Sequence, residues 1–103
     1  MLFRSLGKVG HADAGPALIE ALADDYWQVR LRATRSLGRL RYVPALAALI
    51  ETLTHRISNL RKEAALALGE LNDRAAIPAL QAAQDDGDPE VRKAVRIALG
   101  QLQ

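Results

Sequence analysis

The chain has 103 residues, 50% of them apolar, and a formal net charge of +2, so it is long enough for one domain with a packed core. It contains no cysteine, which excludes disulfides and thiolate metal sites, and no apolar run approaches the roughly 20 residues of a membrane span. The small charge does not by itself indicate a nucleic-acid partner. Because the N-terminus also lacks the apolar stretch of a signal peptide, we expect a cytoplasmic protein with no membrane contact.

The apolar residues are mostly Ala and Leu, with one Phe, one Trp and two Tyr. Ala and Leu are strong helix formers, whereas strands favour Val, Ile, Thr and aromatic residues. The composition therefore predicts an all-α protein.

In chain order, the sequence begins with a helical pattern over Leu2–Val9 and continues with three pairs of helical patterns. The first helix of each pair is expected at about Asp13–Ala23, Val43–Leu53 and Arg74–Gln84. The second is expected at about Trp27–Leu40, Ser58–Leu71 and Pro89–Leu102. This divides one domain, 1–103, into a partial repeat, 1–12, and three repeats at about 13–42, 43–73 and 74–103.

These copies share a period of 31 residues without gaps. The same dipeptide recurs at this step at Leu6-Gly7, Leu37-Gly38, Leu68-Gly69 and Leu99-Gly100. An apolar residue followed by Arg keeps the same step at Val29-Arg30, Leu60-Arg61 and Val91-Arg92. Several columns with one period are typical of a repeat architecture.

The second helices carry the clearest helical signals. Their apolar residues follow a spacing of 3.6, and in the first copy this core face comprises Val29, Ala33, Ser36, Leu37 and Leu40. Helix ends are indicated by Asp88-Pro89 as an N-cap and by Gly10 and Asn72 as left-handed C-caps. The glycine of each Leu-Gly pair lies inside a helix, where it costs about 1 kcal/mol relative to Ala. We expect these glycines to permit close approach of a neighbouring helix.

One such hairpin cannot bury its apolar faces alone, but stacked neighbours can. The sequence therefore predicts an α-solenoid, a right-handed superhelix of antiparallel helix pairs whose second helices line the concave face. The helix at Leu2–Val9 has no first helix before it, so we expect a fragment of a longer solenoid. We also expect its uncapped end to offer a surface for self-association.

Two segments carry a resemblance to a known family. Asp88–Gly100 resembles the second helix of HEAT-like repeats of the phycobilisome-lyase (PBS lyase) type, and Asn72–Leu80 resembles the preceding turn and first helix. The resemblance implies an armadillo-type fold with a curved binding surface. It also implies that a role in a bilin or phycobiliprotein lyase is an alternative, because some members have such roles.

The leading functional hypothesis is a protein–protein interaction scaffold that binds a partner, another protein, on the concave face. The best candidates are residues whose type varies between repeats. These candidate partner-binding residues are Tyr26, Trp27, Leu31, Arg32, Arg35, Lys62, Glu63, Leu66, Lys93 and Ile97. For Tyr26 and Trp27, an aromatic hot spot and packing over the hairpin end are equally good interpretations.

A second column, formed by Arg30, Arg61 and Arg92, is interpreted as structural. Each Arg is expected to pair with loop carboxylates and to form a ladder between repeats. The arginines of Gln28–Leu40 leave a phosphate-backbone binder as a further alternative, although Glu63 and Glu70 interrupt the basic stripe.

Catalytic chemistry has little support in this sequence. The histidines, His11 and His55, fall in turns of different repeats, and no His and Glu residues have the spacing of metal ligands. We therefore expect neither an enzyme nor a bound metal or cofactor.

Overall fold

The computed structural model describes residues 11–103, and the side chains from Ala14 onward. Within that part, six α-helices follow one another without a strand. They are α1 (His11–Ala21), α2 (Trp27–Leu40), α3 (Leu46–Thr52), α4 (Ser58–Leu71), α5 (Ile77–Ala82) and α6 (Pro89–Leu102). The helix predicted over Leu2–Val9 and the C-cap predicted at Gly10 lie outside the described residues.

The second helices α2, α4 and α6 have the predicted bounds. Among the first helices, α3 and α5 are shorter than predicted, and α1 begins and ends two residues earlier than the predicted Asp13–Ala23. Val43–Ala45 and Arg74–Ala76 form 3₁₀ turns before α3 and α5 instead of α-helical turns. Pro44 lies in the first of these turns and cannot donate a backbone hydrogen bond. In the second turn, the Asp73 carboxylate accepts the N–H of Ala75 at 2.9 Å.

Helix ends follow the residue types in the turns. The Asp88 carboxylate accepts the N–H groups of Glu90 and Val91 at 2.7 and 3.3 Å, which confirms the predicted N-cap of α6. Asn72 has a φ of 62°, as predicted for a left-handed C-cap. Arg41, at the same repeat position, has a φ of 52°. Its conformation was not foreseen, because Arg rarely adopts it.

The core lies between the helices of successive pairs, with each first helix packed on its own second helix. Its largest fully buried side chains include Leu37, Leu49, Leu60, Leu68, Leu80, Val91 and Val95. The second helices form the continuous part of this core, because α4 packs against both α2 and α6.

One predicted core residue is exposed. Val29 is 36% exposed, whereas Leu60 and Val91 in the same column are buried. Val91 is buried on α6, whose second-helix neighbour in the structure is α4, so the column faces the preceding repeat.

Close approach of the second helices depends on two glycines. A Cβ on Gly38 would lie 2.8 Å from the Ala67 Cα, and a Cβ on Gly69 would lie 3.0 Å from the Ala98 Cα. These distances confirm the predicted packing role at both positions. At Gly100 the prediction is wrong, because no atom described by the structure would lie within 4 Å of such a Cβ.

The first helices, by contrast, are spread apart. Grooves separate α1 from α3 and α3 from α5, and the larger, between α3 and α5, has a volume of about 530 Å³. Tight packing on the side of the second helices and open grooves on the side of the first helices distinguish the two surfaces of this α-solenoid.

Candidate functional site

The outward side chains of α2, α4 and α6 form a continuous surface, here called the second-helix face. Two shallow grooves of about 360 and 220 Å³ cross it. Both grooves are lined by Leu66 of α4 and Ile97 of α6. Ile97 is 45% exposed, and Leu66 is partly buried. The second-helix face therefore has an apolar centre.

Charged side chains surround this centre. The larger groove is also bounded by Arg35, Arg39, Glu63 and Glu70, and the smaller by Lys62, Glu90 and Lys93. Both charge signs are present around each groove. An apolar centre with a mixed charged rim is the arrangement found in protein–protein interfaces.

Arg35 and Glu63 form an ion pair that connects α2 to α4. The Arg35 Nη2 lies 3.2 Å from the Glu63 Oε2, and the Arg35 Nε donates to Oε1 at 3.4 Å. Both residues were predicted from the sequence as candidate contacts to a partner protein. The structure shows that each already has a partner within the chain, so their charges are partly neutralised.

The remaining predicted contacts divide into two groups. Lys62 and Lys93 line the smaller groove, together with the two apolar residues. Leu31 is partly buried and Arg32 is exposed, but neither lines a groove on the face. The two aromatic candidates are also outside these grooves, at the start of α2: Tyr26 is 71% exposed and Trp27 is partly buried.

A second polar constellation occupies the turns between first and second helices. The guanidinium of Arg61 binds the carboxylate of Asp86 through Nε–Oδ2 at 2.8 Å and Nη2–Oδ1 at 3.1 Å. Its Nη1 donates to the carbonyl oxygen of His55 at 2.8 Å. Arg92 donates to the carbonyl oxygen of Asp86 at 2.7 Å. The hydrogen bond and charge of Arg61 hold the pKa of Asp86 below its ordinary value.

The equivalent position in the preceding turn holds a histidine. His55 lies in the same repeat column as Asp24 and Asp86, a relationship that sequence reasoning missed although the 31-residue register shows it. Its Nδ1 accepts the N–H of Ile57 at 3.0 Å. The carboxylates of Asp24 and Asp86 accept the N–H two residues ahead in the same way, each at 2.9 Å.

The presence of a histidine instead of an aspartate at position 55 changes the surroundings of Arg30. The Nε of Arg30 is buried and has no hydrogen-bond partner in the structure. Burial lowers the pKa of the His55 imidazole, and the nearby charges of Arg30, Arg56 and Arg61 lower it further. The imidazole is therefore neutral at pH 7.

Residues 11–103 contain neither a metal-ligand cluster nor a membrane-spanning helix. No group of three or more His, Cys, Asp or Glu side chains is arranged to hold a metal ion there. No helix in this range combines the length and the apolar character needed to cross a membrane.

Comparison with known proteins identifies the family of this chain. A family model described as HEAT repeats matches residues 1–58 and 46–103. Comparison with curated proteins gave no match. The two family matches overlap and together extend from the first residue to the last. The helix pairs, their 31-residue period and these matches agree, and the chain belongs to the HEAT-repeat family.

Proposed function

We propose that this protein is a non-enzymatic scaffold that binds another protein on the second-helix face, with Leu66 and Ile97 at the centre of the contact. The observation that supports this most directly is the exposure of Ile97 at 45%, beside Leu66, on an otherwise charged surface. HEAT repeats are commonly protein-interaction scaffolds, which agrees with this proposal.

The packing supports a concave shape for this face. Gly38 and Gly69 let the second helices approach their neighbours closely, whereas open grooves separate the first helices. An array that is tighter on one side than on the other bends toward the tighter side. Such curvature creates the extended concave surface that solenoids use for binding.

The charges favour a protein over a phosphate backbone as the partner. Arg35 is paired with Glu63, and Glu70 and Glu90 line the same grooves as the basic residues. Nucleic-acid binding depends on many unpaired cations along one surface. A mixed rim around an apolar centre is better suited to a protein surface with complementary charges.

The experiment combines cross-linking with matched substitutions. A photo-reactive amino acid at position 97 should cross-link a partner in cells, which is then purified and titrated against the protein. Ile97→Glu should weaken binding at least tenfold, because a hot-spot residue at an interface centre contributes about 2 kcal/mol or more. Melting temperature should be almost unchanged, since the side chain is exposed.

Val43 supplies the matched control. It is 50% exposed and apolar, but it lies in the turn before α3, away from the second-helix face. Val43→Glu should leave binding of the purified partner unchanged. Equal effects of the two substitutions, or no effect of Ile97→Glu, would contradict the proposed surface.

A lyase role of the phycobilisome type is the second candidate, supported by the resemblance of Asp88–Gly100. It makes a separate prediction. Mixing the protein with a bilin or a phycobiliprotein should change the visible absorption spectrum if this role is correct. An unchanged spectrum would reject this candidate and would leave the scaffold proposal intact.

A further inference from the structure

The turn that contains His55 has one more hydrogen-bond donor than it has acceptors. In the following repeat, Arg61 has the Asp86 carboxylate as acceptor for both Nε and Nη2. Arg30 stands one period before Arg61, and His55 stands one period before Asp86. An imidazole offers at most one acceptor nitrogen, whereas a carboxylate offers two oxygens.

That single acceptor is already used. The Nδ1 of His55 accepts the N–H of Ile57, so the neutral ring carries its proton on Nε2. The imidazole therefore presents a donor where Asp86 presents an acceptor. The Nε of Arg30 is also a donor, and it is buried without a partner. A buried unpaired donor costs about 1 to 3 kcal/mol, and such groups in native structures commonly bind a ligand or ordered water.

We propose that the Arg30–His55 junction is an oxyanion site that takes one carboxylate in place of the aspartate present in the next repeat. The carboxylate accepts from the guanidinium of Arg30 and from the imidazole Nε2–H. The positive charge of Arg56, which acts on the same imidazole, favours an anion at this point. The Arg61–Asp86 pair is the template for its geometry.

On the side of the first helices, a groove borders the imidazole of this junction. The groove of about 400 Å³ between α1 and α3 is lined at one end by Thr54 and His55. It is the counterpart, one repeat earlier, of the groove whose end holds Asp85 and Asp86. The site therefore lies apart from the second-helix face, and its carboxylate is either a free small acid or an acidic side chain of a bound polypeptide.

The test uses thermal unfolding at pH 7.5, with sodium acetate compared with sodium chloride at constant ionic strength. Acetate should raise the melting temperature of the wild-type protein saturably, by about 2 °C or more. The amide resonance of Ile57 should shift with the same midpoint. To distinguish the sources, capped Ala-Glu-Ala replaces acetate, with capped Ala-Gln-Ala as its control. A larger effect of the glutamyl peptide identifies a polypeptide side chain, and a larger or equal effect of acetate identifies a free acid.

Two substitutions decide whether the response comes from this junction. His55→Asp supplies an internal carboxylate, so it should raise the melting temperature without acetate and abolish the acetate response. Arg30→Gln should also abolish the response, whereas Arg39→Gln, an exposed arginine on the same helix, should retain it. A wild-type protein that does not respond, or an equal response in His55→Asp, would overturn the proposal.

The reciprocal substitution tests the register argument independently. Asp86→His should reproduce the donor-rich junction one repeat later, lower the melting temperature and create a new acetate response. If Asp86→His unfolds less readily with acetate than with chloride, the template is correct. If it gains no such response, the assignment of Asp86 as the template is wrong.

Discussion

Arg61 and Asp86 lie 25 residues apart in the chain, yet their side chains form a two-point ion pair with distances of 2.8 and 3.1 Å. The Arg61 side chain is 19% exposed and that of Asp86 is 11% exposed. Arg61 belongs to α4, and Asp86 belongs to the turn before α6. The pair therefore joins two successive repeats. It lies along the edge of the solenoid that carries the turns between first and second helices.

Asp86→Asn should destabilise the protein by about 1 to 3 kcal/mol, because it removes a charge-assisted acceptor from a largely buried guanidinium. The amide oxygen of Asn can still accept the N–H of Asp88, so the turn itself keeps its hydrogen bond. Urea unfolding at pH 7 measures the difference.

The Arg35–Glu63 pair is the control for this prediction. The Arg35 side chain is 46% exposed, and exposed ion pairs contribute little to stability because water and salt screen them. Glu63→Gln should therefore cost clearly less than Asp86→Asn. Equal losses from the two substitutions would show that burial is not what gives the Arg61–Asp86 pair its strength.

The two helical glycines of α4 and α6 should respond oppositely to a methyl group. Gly100→Ala should stabilise by about 1 kcal/mol, because Ala has the higher helix propensity and the added Cβ meets open space. Gly69→Ala should not show this gain, since its Cβ would lie 3.0 Å from the Ala98 Cα. Gly69→Leu should destabilise further, by about 1 to 3 kcal/mol relative to wild type. Thermal melts in which Gly69→Leu equals Gly69→Ala would contradict the packing role of Gly69.

Stability should fall on mild acidification because of His55. Its pKa in the folded protein is below the ordinary value of 6.5, so the unfolded chain binds the proton more readily. The contribution of His55 to stability is therefore fully present above pH 6.5, and it decreases as the pH falls from 6.5 toward the lowered pKa. Protonation also removes the Nδ1 acceptor of the Ile57 N–H.

His55→Asn isolates this effect. Asn does not titrate, and its side-chain oxygen can accept the same N–H. Between pH 7.5 and pH 5.5, urea unfolding should show a larger loss of stability for wild type than for His55→Asn. The comparison cancels contributions from His11 and the carboxylates, so parallel pH profiles would show that His55 does not carry the dependence.

Arg41→Gly should stabilise the protein. Arg41 has a φ of 52°, in the left-handed region that costs a residue with a Cβ roughly 1 to 2 kcal/mol. Glycine adopts this conformation without that cost but has more freedom in the unfolded chain, so the expected gain is about 0.5 to 1 kcal/mol. Arg39→Gly, two residues earlier inside α2, should lose about 1 kcal/mol. A loss at both positions in thermal melts would contradict the assigned role of φ at Arg41.

The all-helical fold, the period and the bounds of the second helices were predictable from the sequence. The prediction succeeded because α2, α4 and α6 repeat one amphipathic pattern, and because Asp88 and Asn72 are local signals that need no distant contact. The apolar centre at Leu66 and Ile97 was also recognisable, since both residues interrupt a polar helix face at the same repeat position.

The tertiary structure decided which polar groups have partners. In the sequence, Arg35 and Glu63 resembled free surface charges, but helix packing places the Arg35 Nη2 3.2 Å from the Glu63 Oε2. Arg30 and Arg61 occupy the same repeat position, but the Nε of Arg30 has no hydrogen-bond partner, whereas Arg61 binds the Asp86 carboxylate through two nitrogens. The sequence alone determined the helices because their hydrogen bonds connect residues four positions apart. It did not determine these pairings, because they connect side chains about 25 to 28 residues apart across packed helices, where a small change in position makes or breaks a hydrogen bond.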